Sequence, residues 1–291
     1  MYVFMNEIPM VGEPHIEGER VVPYHRCYRP MKKGMNADWT ARIYIQDPGY
    51  ATTPDIYVRA FLNIQQDILK LFRYIEPAAA NLYTYSYNIQ QMLIRTCVEI
   101  EANFKAILKD NKFTSKAEYN WNIIDYSRVN VTHNLNRYKV EYPVWDEPDY
   151  VFCPFAEWGG NKHGAPRWYK AYNNIKHRKD ALKEFATLGN LLEAFAGLFV
   201  LLTAQFNKTD FDPGFVNWSD PKGNIFYENK MFGIGNYLIV HYPEWREDEK
   251  YNCDWHLEYN KEDRFRVFDY DQLRKVGDRW DKKNSESYFE K

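Results

Sequence analysis

The stretch that decides the fold is Pro166–Phe206, PRWYKAYNNIKHRKDALKEFATLGNLLEAFAGLFVLLTAQF. From Leu182 onward it places large apolar residues at three-to-four spacing with small residues between them, which predicts a long buried bundle helix. The part that starts at Pro166 predicts a shorter helix with one apolar side. A turn or kink is expected around Arg178–Asp180.

The shorter helix carries a dense set of basic and amide side chains. A cationic segment fixed to a buried helix suits an anionic ligand, although an ordinary exposed helix that leads into a core helix has the same composition. His177 is the candidate acid–base group or phosphate contact, and the alternative is an exposed histidine that the helix macrodipole favours. The candidate binding residues around it are Arg167, Lys170, Asn173, Lys176 and Arg178.

Three more helices are expected earlier in the chain. Thr53 is the expected N-cap of a helix over Pro54–Ile75, whose apolar residues recur at helical spacing. A regular apolar stripe predicts a second long helix over Asn81–Lys109. A capping-box pattern predicts a shorter helix over Lys116–Ser127, with Ser115 as its N-cap.

The ends of the chain are strand-forming, because their apolar residues alternate or lie between turn signals. With the helices they predict an α+β fold, in which a central all-α up-and-down helical bundle is flanked by a small antiparallel sheet from the N- and C-terminal segments. We expect an N-terminal segment over 1–50, a bundle domain over 51–206 and a C-terminal segment over 207–291. Asp269 is expected to cap a short helix that runs to Val276. The expected strands are Arg20–Tyr24, Ala41–Gln46, Arg137–Tyr142, Asn224–Tyr227, Tyr237–Tyr242, Asp254–Tyr259 and Arg264–Phe268.

The composition excludes several classes of function. A formal net charge of -2 over 291 residues argues against nonspecific binding of nucleic acid or acidic membrane by the whole surface, but it leaves room for a local basic patch. The 24 tyrosines suit packing between elements and also suit stacking on bases. The chain has no phosphate-binding loop, dinucleotide-binding glycine motif, serine-hydrolase elbow or zincin motif, so we expect no cofactor.

The cysteines and the apolar runs predict where the protein resides. Cys27, Cys97, Cys153 and Cys253 lie far apart and without zinc-ligand spacing, so we expect a reduced protein without a metal site. The N-terminus has no secretory signal, and the apolar run over 188–206 is too short and too interrupted by polar residues for a membrane span. These features predict a cytoplasmic protein that does not enter a membrane.

Two segments carry a resemblance to a known family. They are RTCVEIEANFKAIL (Arg95–Leu108) and WYKAYNNIKHRKDALKEFATLGNLLEAFAGLFVLL (Trp168–Leu202). Both resemble the HEPN group of helical-bundle proteins, which includes uncharacterised bacterial members and abortive-infection and toxin relatives, and the likeness covers about 54–206. It implies a metal-independent endoribonuclease or toxin in bacterial stress or phage defence, which acts on RNA as a homodimer. In that group a histidine moves a proton during attack of the ribose 2′-hydroxyl, and an arginine stabilises charge on the phosphate.

The family's motif places the arginine four to six positions before the histidine on a helix, and this sequence departs from it. Arg167 precedes His177 by ten positions. Two pairs have the right spacing, Arg20 with His25 and Arg128 with His133, but both fall in predicted strand or loop. The resemblance therefore transfers no catalytic residue directly.

A rearranged catalytic set is the alternative route to the same chemistry. It would combine His177 with Arg95 from the second long helix, and Glu99 would orient Arg95 from four positions away. Arg95 and Glu99 could instead form an ion pair that holds the bundle. The absent exact motif favours a non-catalytic helical interaction or RNA-binding module with a degenerate site, and a purely structural protein is the third alternative. Glu193, which stands in an apolar helix, needs a partner, and Arg95 or Lys176 is expected to supply it.

Overall fold

The computed structural model describes residues 19–32, 40–178, 182–211, 237–276 and 279–282. Four of the helices in these ranges are long, and they form in the regions where helical apolar spacing predicts them. The α-helices are α1 (Pro54–Leu71), α2 (Tyr87–Asp110), α3 (Ile123–Tyr126), α4 (Asn130–His133), α5 (Arg167–His177), α6 (Leu182–Phe185), α7 (Leu188–Phe211) and α8 (Trp255–Glu258).

The helices α2 and α7 are parallel neighbours at the centre of the bundle. At one end the backbone N–H of Leu188 donates to the carbonyl of Thr84, just before α2, at 2.8 Å. Near the other end Nε2 of Gln205 donates to Oδ1 of Asn103 at 3.0 Å. Two contacts in the same order along both helices require the helices to run in the same direction.

The helices α1 and α5 run opposite to this central pair. Thr52, just before α1, donates its backbone N–H to the Asp110 carboxylate at the end of α2, at 3.2 Å. The end of α5 is joined to the start of α7 through α6. Because α1 and α5 each pack against both α2 and α7, they lie on opposite sides of that pair. The four long helices thus alternate in direction along the chain, as predicted for an up-and-down bundle.

The helix α7 is the core of the bundle. Within the described residues its stretch Leu188–Lys208 is the one helix long and apolar enough to cross a membrane, but 94% of it is buried inside the protein, as in the core helix of a soluble protein. The rings of Phe195 and Phe61 stack at 4.9 Å between their centres. Trp168 packs against the helix at Gly197. Each such buried apolar side chain stabilises the fold by about 1.5–3 kcal/mol.

The strands in the described ranges are short and form two small antiparallel sheets. β1 (Lys139–Glu141) pairs with β2 (Ile239–His241), and β3 (Leu273–Val276) pairs with β4 (Arg279–Lys282). In the described residues the backbone of the N-terminal segment meets that of the C-terminal segment through isolated bridges, such as Val21 with Asn252, and not through a paired strand. The predicted α+β class is therefore confirmed, but the sheet does not come from the two termini as predicted, because β1 lies in the middle of the chain.

Buried polar contacts tie the terminal segments to the bundle. The guanidinium of Arg26 is buried and donates to Asp110 Oδ2 at 2.5 Å and to Gln205 Oε1 at 3.2 Å. The guanidinium of Arg128 donates to the carbonyls of Tyr270 and Leu273, both at 2.8 Å. The predicted segments 1–50 and 207–291 thus share contacts with the bundle in the parts that the structure describes.

The segment Ala41–Gln46 is not the predicted strand. It lies in a 3-10 helix over Thr40–Gln46. The adjacent residues Tyr44 and Ile45 are both buried. A half-buried strand places adjacent side chains on opposite faces, so the alternation in the sequence was misleading.

The C-terminal predictions have mixed outcomes. Asp254–Tyr259 is not a strand but contains α8, which the Asp254 carboxylate caps by accepting the His256 N–H at 3.0 Å. Asp269 caps a 3-10 turn as expected, but β3 follows that turn in place of the predicted helix. Arg264–Phe268 makes a single bridge at Arg266. The predicted strand Asn224–Tyr227 lies outside the described residues, whereas Arg137–Tyr142 and Tyr237–Tyr242 contain β1 and β2.

Two predicted N-caps are wrong. Thr53 is left-handed, with φ of 47°, and its side chain makes no capping hydrogen bond. The hydroxyl of Ser115 donates to Asp271, so it caps nothing. The predicted helix over Lys116–Ser127 is accordingly broken into a 3-10 turn over Glu118–Asn120 and α3, which Asn122 caps.

The ends of the long helices also differ from the prediction. α1 ends at Leu71, before the predicted Ile75. α2 begins after Ser86 and not at Asn81, because the Ser86 hydroxyl accepts the N–H of Ile89 at 3.1 Å. The core helix predicted from Leu182 is divided into α6 and α7, since Thr187 forms a β-bridge with Tyr85 between them.

Candidate functional site

The exposed face of α5 carries all the basic and amide residues that the sequence singled out. Trp168, Tyr169, Tyr172 and Ile175 are buried against the bundle. The residues on the opposite face recur at three-to-four spacing, so they form a stripe along the helix. The exposed residues of this stripe and its end, here called the α5 face, are Arg167, Lys170, Asn173, Lys176, His177 and Arg178.

The charges of the α5 face are only partly compensated. Arg167 lies with its Nε 3.4 Å from Glu193 Oε2, and its backbone N–H donates to Glu157 Oε1 at 3.0 Å. Lys170 and Lys176 have no carboxylate within ion-pair distance in the described part of the chain. The Lys176 ammonium lies 5.4 Å from the centre of the Tyr172 ring.

Glu193 has a different partner from those predicted. It pairs with Arg167 and not with Arg95 or Lys176. Arg167 stands at the start of α5, where that helix lies against α7. Burial raises the pKa of the Glu193 carboxyl above its ordinary value, the nearby Glu157 charge adds to this rise, and Arg167 opposes it.

The predicted ion pair between Arg95 and Glu99 is also wrong. Nη2 of Arg95 donates to Asp67 Oδ2 of α1 at 2.5 Å. Glu99 is half-buried, and burial raises its pKa while the charge of Arg95 opposes the rise. The neighbouring helix α1 supplies a carboxylate that the sequence spacing within α2 could not reveal.

The structure does not join the three predicted catalytic residues. His177 is the exposed last residue of α5, and within the described residues its ring makes no hydrogen bond or ion pair with Arg95 or Glu99. Arg95 donates a hydrogen bond to α1. The helix α5 contacts α2 through Tyr169, whose hydroxyl donates to Glu101 at 3.0 Å. Because α1 and α5 lie on opposite sides of the central pair, Arg95 and His177 face different neighbours.

The two arginine–histidine pairs with family-like spacing have structural roles. Arg20 bonds Glu258 at 2.5 Å. His133 is fully buried, with Nε2 at 2.7 Å from the carbonyl of Arg26. Arg128 is buried as well and holds the C-terminal segment. A substrate has no access to the buried pair.

Sequence reasoning missed a groove between α1 and α2. It has a volume of about 470 Å³ and an apolar floor made by Leu71 and Met92. Its charged side chains are Arg95, Lys70 and Asp67, and Asp67 pairs with both cations. The other lining residues are Tyr74, Asn88 and Gln91. On each helix these residues recur at three-to-four spacing, which was the available signal, but nothing in the sequence showed that the two stripes face each other.

Exposed tyrosines follow the end of α1 and precede or begin α2, the helices that line this groove. Tyr74 is 86% exposed, and Tyr83, Tyr85 and Tyr87 are also exposed. The last turn of α5 lies at the same end, because α5 runs opposite to α2. We call this cluster of four residues the tyrosine end.

The described residues hold no group of three or more histidine, cysteine, aspartate or glutamate side chains that could bind a metal ion. The four cysteines are free thiols. What the described surface offers is a cationic helix face and a groove with the exposed ring of Tyr74 in its lining. No known protein family, curated protein or solved structure matches this chain.

Proposed function

We propose that this protein is a cytoplasmic helical-bundle module that binds RNA through the α5 face without cleaving it. The observation that carries the proposal is the placement of Lys170 and Lys176, two exposed ammonium groups without carboxylate partners on one helix. The four free cysteines support the cytoplasmic location, because reduced thiols are typical of that compartment.

The physical basis is local charge. The whole chain carries a net charge of -2, so attraction to a polyanion has to come from a patch. The 11 residues of α5 extend over about 16 Å, enough to meet several backbone phosphates. Each lysine that contacts a phosphate releases about 0.7 counterions from a single strand, so binding weakens as salt rises.

The test is a binding titration of a fluorescent single-stranded oligoribonucleotide at several salt concentrations. We expect the Lys170→Ala/Lys176→Ala double variant to bind more weakly, with a plot of log K against log salt less steep by about 1.4. The matched control is Lys109→Ala/Lys139→Ala, which removes two exposed lysines elsewhere. Equal effects of the two double variants would refute the proposal.

The ribonuclease implied by the HEPN resemblance is a second proposal, and the observation that favours it is the exposure of His177. An accessible imidazole at the end of a cationic helix suits proton transfer to RNA. This function predicts metal-independent cleavage that His177→Ala abolishes, and a homodimer in light scattering. Intact RNA after long incubation with the parent protein in a chelator would exclude it in favour of binding alone.

A further inference from the structure

We propose that the groove between α1 and α2, together with the tyrosine end, is a stacking site for unpaired nucleotides of an RNA strand. This inference takes the identity of the partner from the proposed function. It concerns a different surface from the α5 face, so the two can be tested separately.

The groove and the start of α2 present exposed aromatic surface. The side chain of Tyr74 is 86% exposed at the rim of the groove, and Tyr87 is exposed at the start of α2, next to the lining residue Asn88. A large side chain exposed to this degree adds little to the stability of the fold. Base stacking on an aromatic ring is favourable and independent of sequence, because every base has a π-face.

The charged lining of the groove is net positive. Lys70 and Arg95 share the single carboxylate Asp67, so the charged lining has a net charge of +1. Arg95 uses one nitrogen for Asp67, and its other donors make no hydrogen bond within the described residues. The net positive charge and the free donors of Arg95 favour an anionic ligand.

The start of α2 adds a third attraction for phosphate. Ser86 caps the N–H of Ile89, whereas the N–H groups of Tyr87 and Asn88 make no hydrogen bond in the described ranges. Free N–H groups at the positive end of a helix of 24 residues favour an anion. A strand whose phosphate lies here can place its base on Tyr74 or Tyr87.

Single-stranded RNA fits this surface better than a duplex. Bases in a duplex are stacked on each other and expose only their edges, so they cannot cover a tyrosine ring. The exposed amides of Asn88 and Gln91 beside the rings can bond the edges of an unstacked base. Because the last turn of α5 lies at the same bundle end, one strand can run from Lys176 to the groove.

The test compares three labelled ligands of equal length: a single-stranded oligoribonucleotide, its duplex, and a strand with abasic sites. We expect the parent to bind the single strand tightest. Tyr74→Ala/Tyr87→Ala should weaken that binding about 5- to 140-fold for each base that stacks, and leave binding of the abasic strand unchanged. Tyr74→Phe should retain binding, because it keeps the ring.

Two control variants keep the test specific. Tyr119→Ala removes a tyrosine that is 84% exposed elsewhere, and Arg59→Ala removes an arginine that pairs with Asp55 at the far end of α1. Neither control should weaken binding. Thermal unfolding of each variant checks that it folds.

The outcomes separate this inference from the proposed function. Equal binding of the normal and abasic strands by the parent, with no effect of the tyrosine changes, would overturn the stacking site. If Lys170→Ala/Lys176→Ala then still weakens binding, the proposed function stands alone. If the tyrosine changes weaken binding and the lysine changes do not, the stacking site stands and the role of the α5 face is overturned. No binding by the parent would overturn both.

Discussion

Removing the buried Arg26 should be among the most damaging single changes in this protein. Its side chain is 1% exposed and donates to Asp110 at 2.5 Å and to Gln205 at 3.2 Å. Its guanidinium also lies 4.9 Å from the centre of the Tyr57 ring. These contacts join the N-terminal segment to α1, α2 and α7, so their loss acts on the centre of the fold.

The loss of stability expected for Arg26→Met comes from the Asp110 charge that remains in the variant. Breaking a buried ion pair costs about 3–5 kcal/mol, because the remaining charge has no partner. Asp110 is 16% exposed and keeps a hydrogen bond from the N–H of Thr52 at 3.2 Å, so we expect a cost of about 3 kcal/mol. The free energy of unfolding, measured by circular dichroism in urea, reports it.

A double change makes this reasoning refutable. Arg26→Met/Asp110→Leu removes both charges, so it should recover most of the stability that Arg26→Met loses. Arg59→Ala, which breaks an exposed pair with Asp55, should cost less than about 1 kcal/mol. If Arg26→Met costs no more than Arg59→Ala, or if the double variant is less stable than Arg26→Met, the buried pair does not have the role assigned to it.

Three further changes test the fold. Glu193→Gln should stabilise the protein relative to the parent more at pH 7 than at pH 4. Folding raises the pKa of this carboxyl, so the parent loses stability as pH rises above about 4.5, and thermal unfolding at both pH values should show a smaller loss in the variant. Ser86→Ala removes the cap of α2 and should cost about 1 kcal/mol in urea unfolding, whereas Thr53→Ala, at a position without a capping bond, should cost less. Phe61→Ala removes a fully buried ring that stacks on Phe195 and should cost about 3–5 kcal/mol, and a loss below 1 kcal/mol by the same measurement would contradict the assigned core.

Helices were predictable because their hydrogen bonds are local. The apolar spacing that predicted a helix after Pro54, another before Lys109 and a core helix after Leu182 is the spacing that buries one face in the structure. The same periodicity placed Lys170 and Lys176 on the exposed face of α5. The helix ends were less predictable, because Ser86 rather than an earlier residue caps α2.

Strands and ion pairs were harder to predict, because their partners are distant in the sequence. Whether a short segment pairs, as Val140 does with Val240, depends on which segment folding brings beside it. The same limit explains the corrected partners of Arg95 and Glu193, since each is met by a charge from another helix.

The sequence by itself determined the helical bundle, the apolar and cationic faces of α5 and the class of the fold, since each depends on residues within one turn or a few turns of helix. Only the tertiary structure decided that Arg95 faces Asp67 and not His177, and that two polar stripes close into a groove beside exposed tyrosines. The physical reason is that a side chain's own helix sets its direction, whereas the packing of separate helices sets what it meets.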